Sequence, residues 1–208
     1  MKNTSILYTF LGVIIFFAGS SITLAQENKT SINKSTITVV RKPLMEDFTS
    51  STCSPCAVLN EELIPWVEEN YDELTLLKYP VNWPGAGDPY YTPEIGMRVD
   101  YYEVTGVPSV HINGTYAGWQ FDNIIPVFEE SLDDLSSFEV ASSFTVTGTE
   151  IQINTHILSY SDIENLNVHT VVFENQTEGN TGTNGETEFH HVVMKMLPGA
   201  NGEITSFS

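Results

Sequence analysis

The chain has two cysteines, Cys53 and Cys56, and both stand where a strand-like run becomes a helical one. Leu44 to Thr49 (LMEDFT) is short, apolar-rich and strand-like. Beyond Cys56, the residues Val58, Leu59, Leu63, Ile64, Trp66 and Val67 recur at intervals of three and four, while Glu61, Glu62, Glu68 and Glu69 take the other face. That period predicts an amphipathic helix, with Pro65 as the expected site of a kink. A cysteine at a helix N-terminus meets unpaired amide donors and the positive end of the helix dipole, and both favour its thiolate. A second cysteine one turn inside can resolve a mixed disulfide formed on the first. Pro55 suits the first turn, where no backbone N–H is needed. Zinc sites share this spacing but require further thiolates or paired histidines; here the five histidines begin at His111. A disulfide across so short a loop restricts the unfolded chain very little. The pair therefore points to redox chemistry rather than to stapling.

The N-terminus bears on the compartment. Lys2 precedes an apolar run from Ile6 to Ala18, and Thr23-Leu24-Ala25 has the small-residue character of a cleavage site. The run is short against the roughly 20 residues of a membrane span. Residues 1–25 are thus expected to be a secretory signal peptide, with an uncleaved anchor as the alternative, and 26–37 a flexible polar lead-in. Eight basic residues against 27 acidic ones give a net charge of −19, which repels phosphate backbones and argues against nucleic-acid binding.

Residues 38–137 read as an α/β unit. After the helix come a strand in Leu74–Val81, a loop rich in Pro, Gly and aromatic residues (WPGAGDPYYTP, 83–93), a helix near Glu94–Glu103 and a strand in Val107–Ile112. Asn113-Gly114 signals a tight hairpin, and Phe121–Leu135 a closing helix. From Phe138 the texture changes to strand-like runs parted by polar turns, the pattern of an all-β sandwich. Four or five strands over 138–208 are fewer than the roughly seven of a complete sandwich, so this domain is expected to be small or its strand set incomplete. Glu174–Glu188 (ENQTEGNTGTNGETE) reads as a mobile, solvated loop without calcium-loop spacing. His190 and His191 are neighbours on a strand and point to opposite faces, which disfavours a shared metal. No cofactor and no metal are expected.

At this point the chain resembles the thioredoxin superfamily. Asp47-Phe48 precedes Cys53 as the Asp-Phe pair of the central strand precedes the first cysteine in thioredoxins, and Lys78 matches the lysine of the neighbouring strand. The resemblance implies that Asp47 and Lys78 tune proton transfer at Cys56; a carboxylate in an apolar interior has the raised pKa that suits a general base. Thr105-Gly106-Val107-Pro108-Ser109 resembles the family's cis-proline loop. It implies that Val107 and Pro108 bind substrate, the Val107 backbone pairing with it as a strand does. Two positions depart from the thioredoxin pattern: Thr52 replaces Trp and Ser54 replaces Gly. The Ser-Pro pair also lacks the histidine of the strongest disulfide oxidases, so reductase or moderate-potential behaviour is expected. Over nearly the full mature length, PLMEDFTSSTCSPC, TGVPSVHING and HHVVMKMLPGANG also resemble the outer membrane protein twenty-eight-related family of exported bacterial proteins.

Together these resemblances imply a thioredoxin-like protein disulfide oxidoreductase in the periplasm or cell envelope, with association to the outer membrane. Its partners would be exported protein thiols and disulfides and a redox partner of unknown identity. The alternative is a non-catalytic envelope or adhesion protein that keeps the fold as a scaffold.

Overall fold

The computed structural model describes the backbone of residues 11–18 and, with side chains, residues 38–177 and 181–208. The lead-in and most of the expected signal peptide lie outside the described residues. Within that expected signal, Leu11–Ala18 is a strand, β1. An apolar, β-branched run that reads as the core of an export signal is equally competent as an edge strand.

The redox motif sits in a continuous β-α-β unit. After the two-residue β2 (Val39–Val40) come β3 (Leu44–Thr49), α1 (Ser54–Glu69), β4 (Thr75–Pro80), α2 (Pro93–Tyr101), β5 (Ser109–Ile112), β6 (Thr115–Gly118) and α3 (Phe121–Ser131). β3 runs parallel to β4 and antiparallel to β5, and β5 pairs β6. Asn113 and Gly114 turn that hairpin with φ of 49° and 87°, as the tight turn between such strands requires. This is a thioredoxin-like fold. Pro65 lies inside α1, which is assigned as one helix through it.

The later strands are β7 (Leu135–Ser136), β8 (Phe138–Thr147), β9 (Glu150–Ser159), β10 (Ile163–Thr177), β11 (Phe189–Leu197) and β12 (Glu203–Phe207). β8 and β9 form their own hairpin, but β10 and β11 do not form a separate sandwich sheet. β11 pairs in parallel with β4 at Val192 and Lys78, so one mixed sheet runs β1-β10-β11-β4-β3-β5-β6, with β12 also on β10. The expected second, all-β domain over 138–208 therefore shares its sheet with the thioredoxin-like unit. The core explains why: Val171, Phe173, Val193 and Met196 pack in one cluster with Leu44, Phe48, Leu77 and Tyr79. That side of β3 and β4 is covered jointly by α2 and by the apolar residues of β10 and β11.

All six residues of β3 are buried, as a central strand covered on both faces requires. The alternation assigns the faces. Met45 and Leu76 join Leu59, Leu63 and Val67 of α1 and Ile124 and Phe128 of α3. Leu44, Phe48, Leu77 and Tyr79 join Ile95 and Val99 of α2. By period two, Asp47 and Lys78 belong to the α1 face and Glu46 to the α2 face.

Candidate active site

α1 begins one residue after Cys53. Cys53 is its N-cap, with extended backbone, and the Sγ accepts from the Cys56 N–H at 3.2 Å. The two cysteines form a disulfide. Both are nearly buried, Cys53 at 3% and Cys56 at 1% exposure. The N-cap position is where unpaired amides gather, so the reduced Cys53 would hold its thiolate in their field.

The proline loop closes on the same point. The Val107–Pro108 bond is cis, and the Cys53 Sγ lies 3.5 Å from the Val107 carbonyl oxygen. Pro55, Val104, Val107, Pro108, Tyr116 and Trp119 line a groove of about 620 Å³ alongside. Glu103, Thr105, Ser109 and His111 also line it, and Tyr116 and Trp119 are exposed at its wall, so the groove is mixed in polarity and open to solvent. The loop after β4 covers the other side. Asp88 Oδ2 accepts from the Ser51 N–H at 2.7 Å, and the Thr52 hydroxyl donates to the Pro84 carbonyl at 2.7 Å.

Beneath α1, Asp47 and Lys78 are direct neighbours in the β3–β4 register, with Lys78 Nζ 3.4 Å from Asp47 Oδ2. Asp47 is fully buried and neither of its oxygens has a hydrogen bond. Burial drives its carboxyl up to about 6, against the pull of Lys78 and with a small push from Glu186. Such a carboxyl accepts a proton near neutral pH, which fits the general-base role that the sequence suggests. Lys78 also donates to Asn60 Oδ1 from α1. The four proposed chemical residues and the Val107-Pro108 pair thus come from β3, α1, β4 and the loop before β5, around one helix end.

Sequence reasoning missed three features. The first is the segment Glu174–Glu188, expected to be a mobile loop, of which 174–177 belong to β10 and 181–188 form the described part of the loop. It folds onto the redox junction instead, with the Asn184 N–H bonded to the Ser51 carbonyl at 3.1 Å and its side-chain amide to the Cys53 carbonyl at 3.2 Å. Its polar composition is that of a solvated loop, but Asn side chains bond readily to backbone groups. The second is Glu46, buried with Arg98 of α2: Nε and Nη2 reach its two oxygens at 2.9 and 3.0 Å, and the Tyr102 hydroxyl also donates to it. Burial pulls the Arg98 guanidinium down, but Glu46 outweighs it and holds the cation firmly protonated. The adjacent acids of LMEDFT were the available signal, since alternation sends them to opposite faces. The third is His111, buried beside Ser109 with its imidazole pushed down by burial, against the pull of Glu46. His191 is buried and His190 half-buried, and no cluster of metal-ligating side chains occurs among the described residues.

No family model and no curated protein matches the sequence. Among solved structures, the chain is similar to HBP35 of Porphyromonas gingivalis, with a TM-score of 0.57 at 12% identity over 81% of this chain and 60% of that one. A structural-genomics protein of Agrobacterium tumefaciens aligns over 81% of this chain and 78% of its own, with a TM-score of 0.49 at 17% identity. The chain spans about 60% of the length of HBP35, and at 12% identity the two share a fold.

Proposed function

We propose that the protein is an exported thiol–disulfide oxidoreductase that acts on envelope proteins, a member of the outer membrane protein twenty-eight-related family with thioredoxin-superfamily chemistry. One observation carries this: the Cys53–Cys56 disulfide caps α1 while touching the Val107 carbonyl of the cis-proline loop. In the reduced protein the Cys53 thiolate attacks a substrate disulfide, forming a mixed disulfide and releasing one substrate thiolate, which takes a proton from solvent. Cys56 then gives its proton to the Asp47 carboxylate and attacks the Cys53 sulfur. The protein disulfide re-forms, the second substrate sulfur leaves as a thiolate that takes the proton from Asp47, and two electrons have passed to the substrate. A dithiol donor of the envelope would restore the reduced pair. The export assignment is supported by the pattern of residues 1–25, and no described helix is long and apolar enough to cross a membrane.

A second reading has its own support. Both sulfurs are nearly buried, as a scaffold that only docks a partner would allow. Insulin reduction with dithiothreitol separates the two. Catalysed turbidity that Cys53→Ser abolishes is expected; a parent protein no faster than dithiothreitol alone would leave the scaffold reading in place.

A further inference from the structure

The segment between β10 and β11 supplies the redox site with side chains outside the Cys-x-x-Cys unit. Asn60 of α1 stands between two charges. Its Oδ1 accepts from Lys78, and its Nδ2 donates to Glu186 Oε1 at 2.6 Å. An ionised carboxylate only accepts hydrogen bonds. While Glu186 is charged, the Asn60 amide must turn its NH₂ toward the loop, which leaves its carbonyl facing Lys78. The other Glu186 oxygen accepts from Asn184 Nδ2 at 2.5 Å, and that same amide donates to the carbonyls of Cys53 and Ser50 at 3.2 and 3.4 Å.

The loop is fitted closely to this place. The Gly182 N–H donates to the Glu186 carbonyl at 2.7 Å, and a Cβ at Gly182 would stand only 2.7 Å from the Ser51 carbonyl oxygen. Behind it lies a cavity of about 20 Å³, room for one water, lined by Asn60, Lys78, Glu186 and His190 among others. We propose that Glu186 is a positioning residue of the redox site: through Asn60 it holds Lys78 against Asp47, and with Asn184 it ties the β10–β11 loop to the backbone of the first cysteine. The proton step at Cys56 then depends on an element outside the β-α-β unit. That consequence rests on the oxidoreductase reading; the positioning itself does not.

The other titratable groups in this region are Asp88 from the loop after β4, Glu188 from the loop, His190 and His191 from β11, and Glu68 of α1, which meets His190 at 4.0 Å. Of these surroundings, Lys78 and Glu186 are the charges that act on Asp47.

The test follows the Asp47 side-chain carboxyl by carbon-13 NMR titration in the oxidised protein, where no thiol titrates. Glu186→Gln keeps an acceptor for Asn60 and removes the charge, so the Asp47 midpoint should fall by roughly 0.3–1 pH unit. Glu186→Leu also frees Asn60 and loosens Lys78, so its midpoint should lie above that of the Gln variant. Midpoints equal to the parent in both variants would overturn the proposal. A Leu midpoint at or below the Gln midpoint would remove the route through Asn60. If the Leu variant does not fold, Asn60→Ala, which cuts the same link and leaves the Glu186 charge in place, takes its part: its Asp47 midpoint should rise above the parent's, and an unchanged midpoint would remove the route through Asn60. Insulin turnover by the parent is scored separately: its absence sinks the oxidoreductase reading, while a Leu midpoint above the Gln midpoint would still stand as evidence for the positioning.

Discussion

Asp47→Asn should reveal how much the buried carboxyl costs the fold, and at which pH. In the folded chain Asp47 keeps its proton to about pH 6, against an ordinary value of 3.8. Folding therefore takes up a proton between these values, and the unfolded state binds fewer protons throughout the interval. The contribution is fully present below pH 3.8 and is lost as pH rises through about 6. At about 1.4 kcal/mol per pH unit, the displacement amounts to about 3 kcal/mol. The asparagine has no such titration. Urea denaturation of oxidised parent and variant at pH 4, 5, 6 and 7.5 should therefore give stability curves that diverge. Between pH 4 and 7.5 the parent should lose about 2.4 kcal/mol relative to the variant, or roughly 5–10 °C in melting temperature for a chain of this size. His169 and His191, which burial first of all lowers to about 4, titrate in both proteins and cancel in the comparison. Parallel curves would show that Asp47 ionises as an ordinary surface acid, and the general-base argument would fall with it.

Three further outcomes are expected. Iodoacetamide labelling of the reduced protein at mildly acidic pH should modify Cys53 first, since it caps α1; preferential labelling of Cys56 would reverse the assigned roles. Changing both cysteines to serine should cost no more than about 2 kcal/mol by the loop-entropy relation, while abolishing exchange; a much larger loss in thermal melts would favour a stapling role. Arg98→Leu strands the buried Glu46 carboxylate and should cost about 3–5 kcal/mol in urea denaturation, and a loss under 1 kcal/mol would mean that Glu46 is solvated or neutral.

The thioredoxin-like half was legible because each element carries a local signal. A capping cysteine, a three-and-four apolar period and an Asn-Gly turn each fix a conformation within a few residues, and α1, β5 and β6 follow. The geometry of the candidate site was legible for the same reason: Cys53 and Cys56 are set three residues apart and form a disulfide, and Asp47 and Lys78 fall on strands whose register brings them together. What lay beyond reach was non-local. Nothing near Val192 announces that β11 will pair with β4, because its alternation reads the same beside β4 as in a free-standing sandwich. The loop at 181–188 hid for a related reason. Asn184 and Glu186 look solvated until Ser51, Cys53 and Asn60, more than 120 residues away, supply their partners.

Glu46 and Asp47 show how one strand separates structure from chemistry. Both are buried acids on β3, one residue apart, each facing a single basic side chain. Alternation sends Glu46 toward α2, where Arg98 grips both oxygens and Tyr102 adds a third donor. A carboxylate so fully partnered serves to hold α2 on the sheet. Asp47 belongs to the α1 face, with one lysine at 3.4 Å and no other polar partner at either oxygen. An under-satisfied carboxylate in an apolar place is costly to the fold and is the group that gains most from a proton. Moving the partners from one face to the other would exchange these properties. A fully bonded Asp47 would be a better structural residue and a poorer base, so its sparse bonding is what would suit it to the general-base role proposed for it.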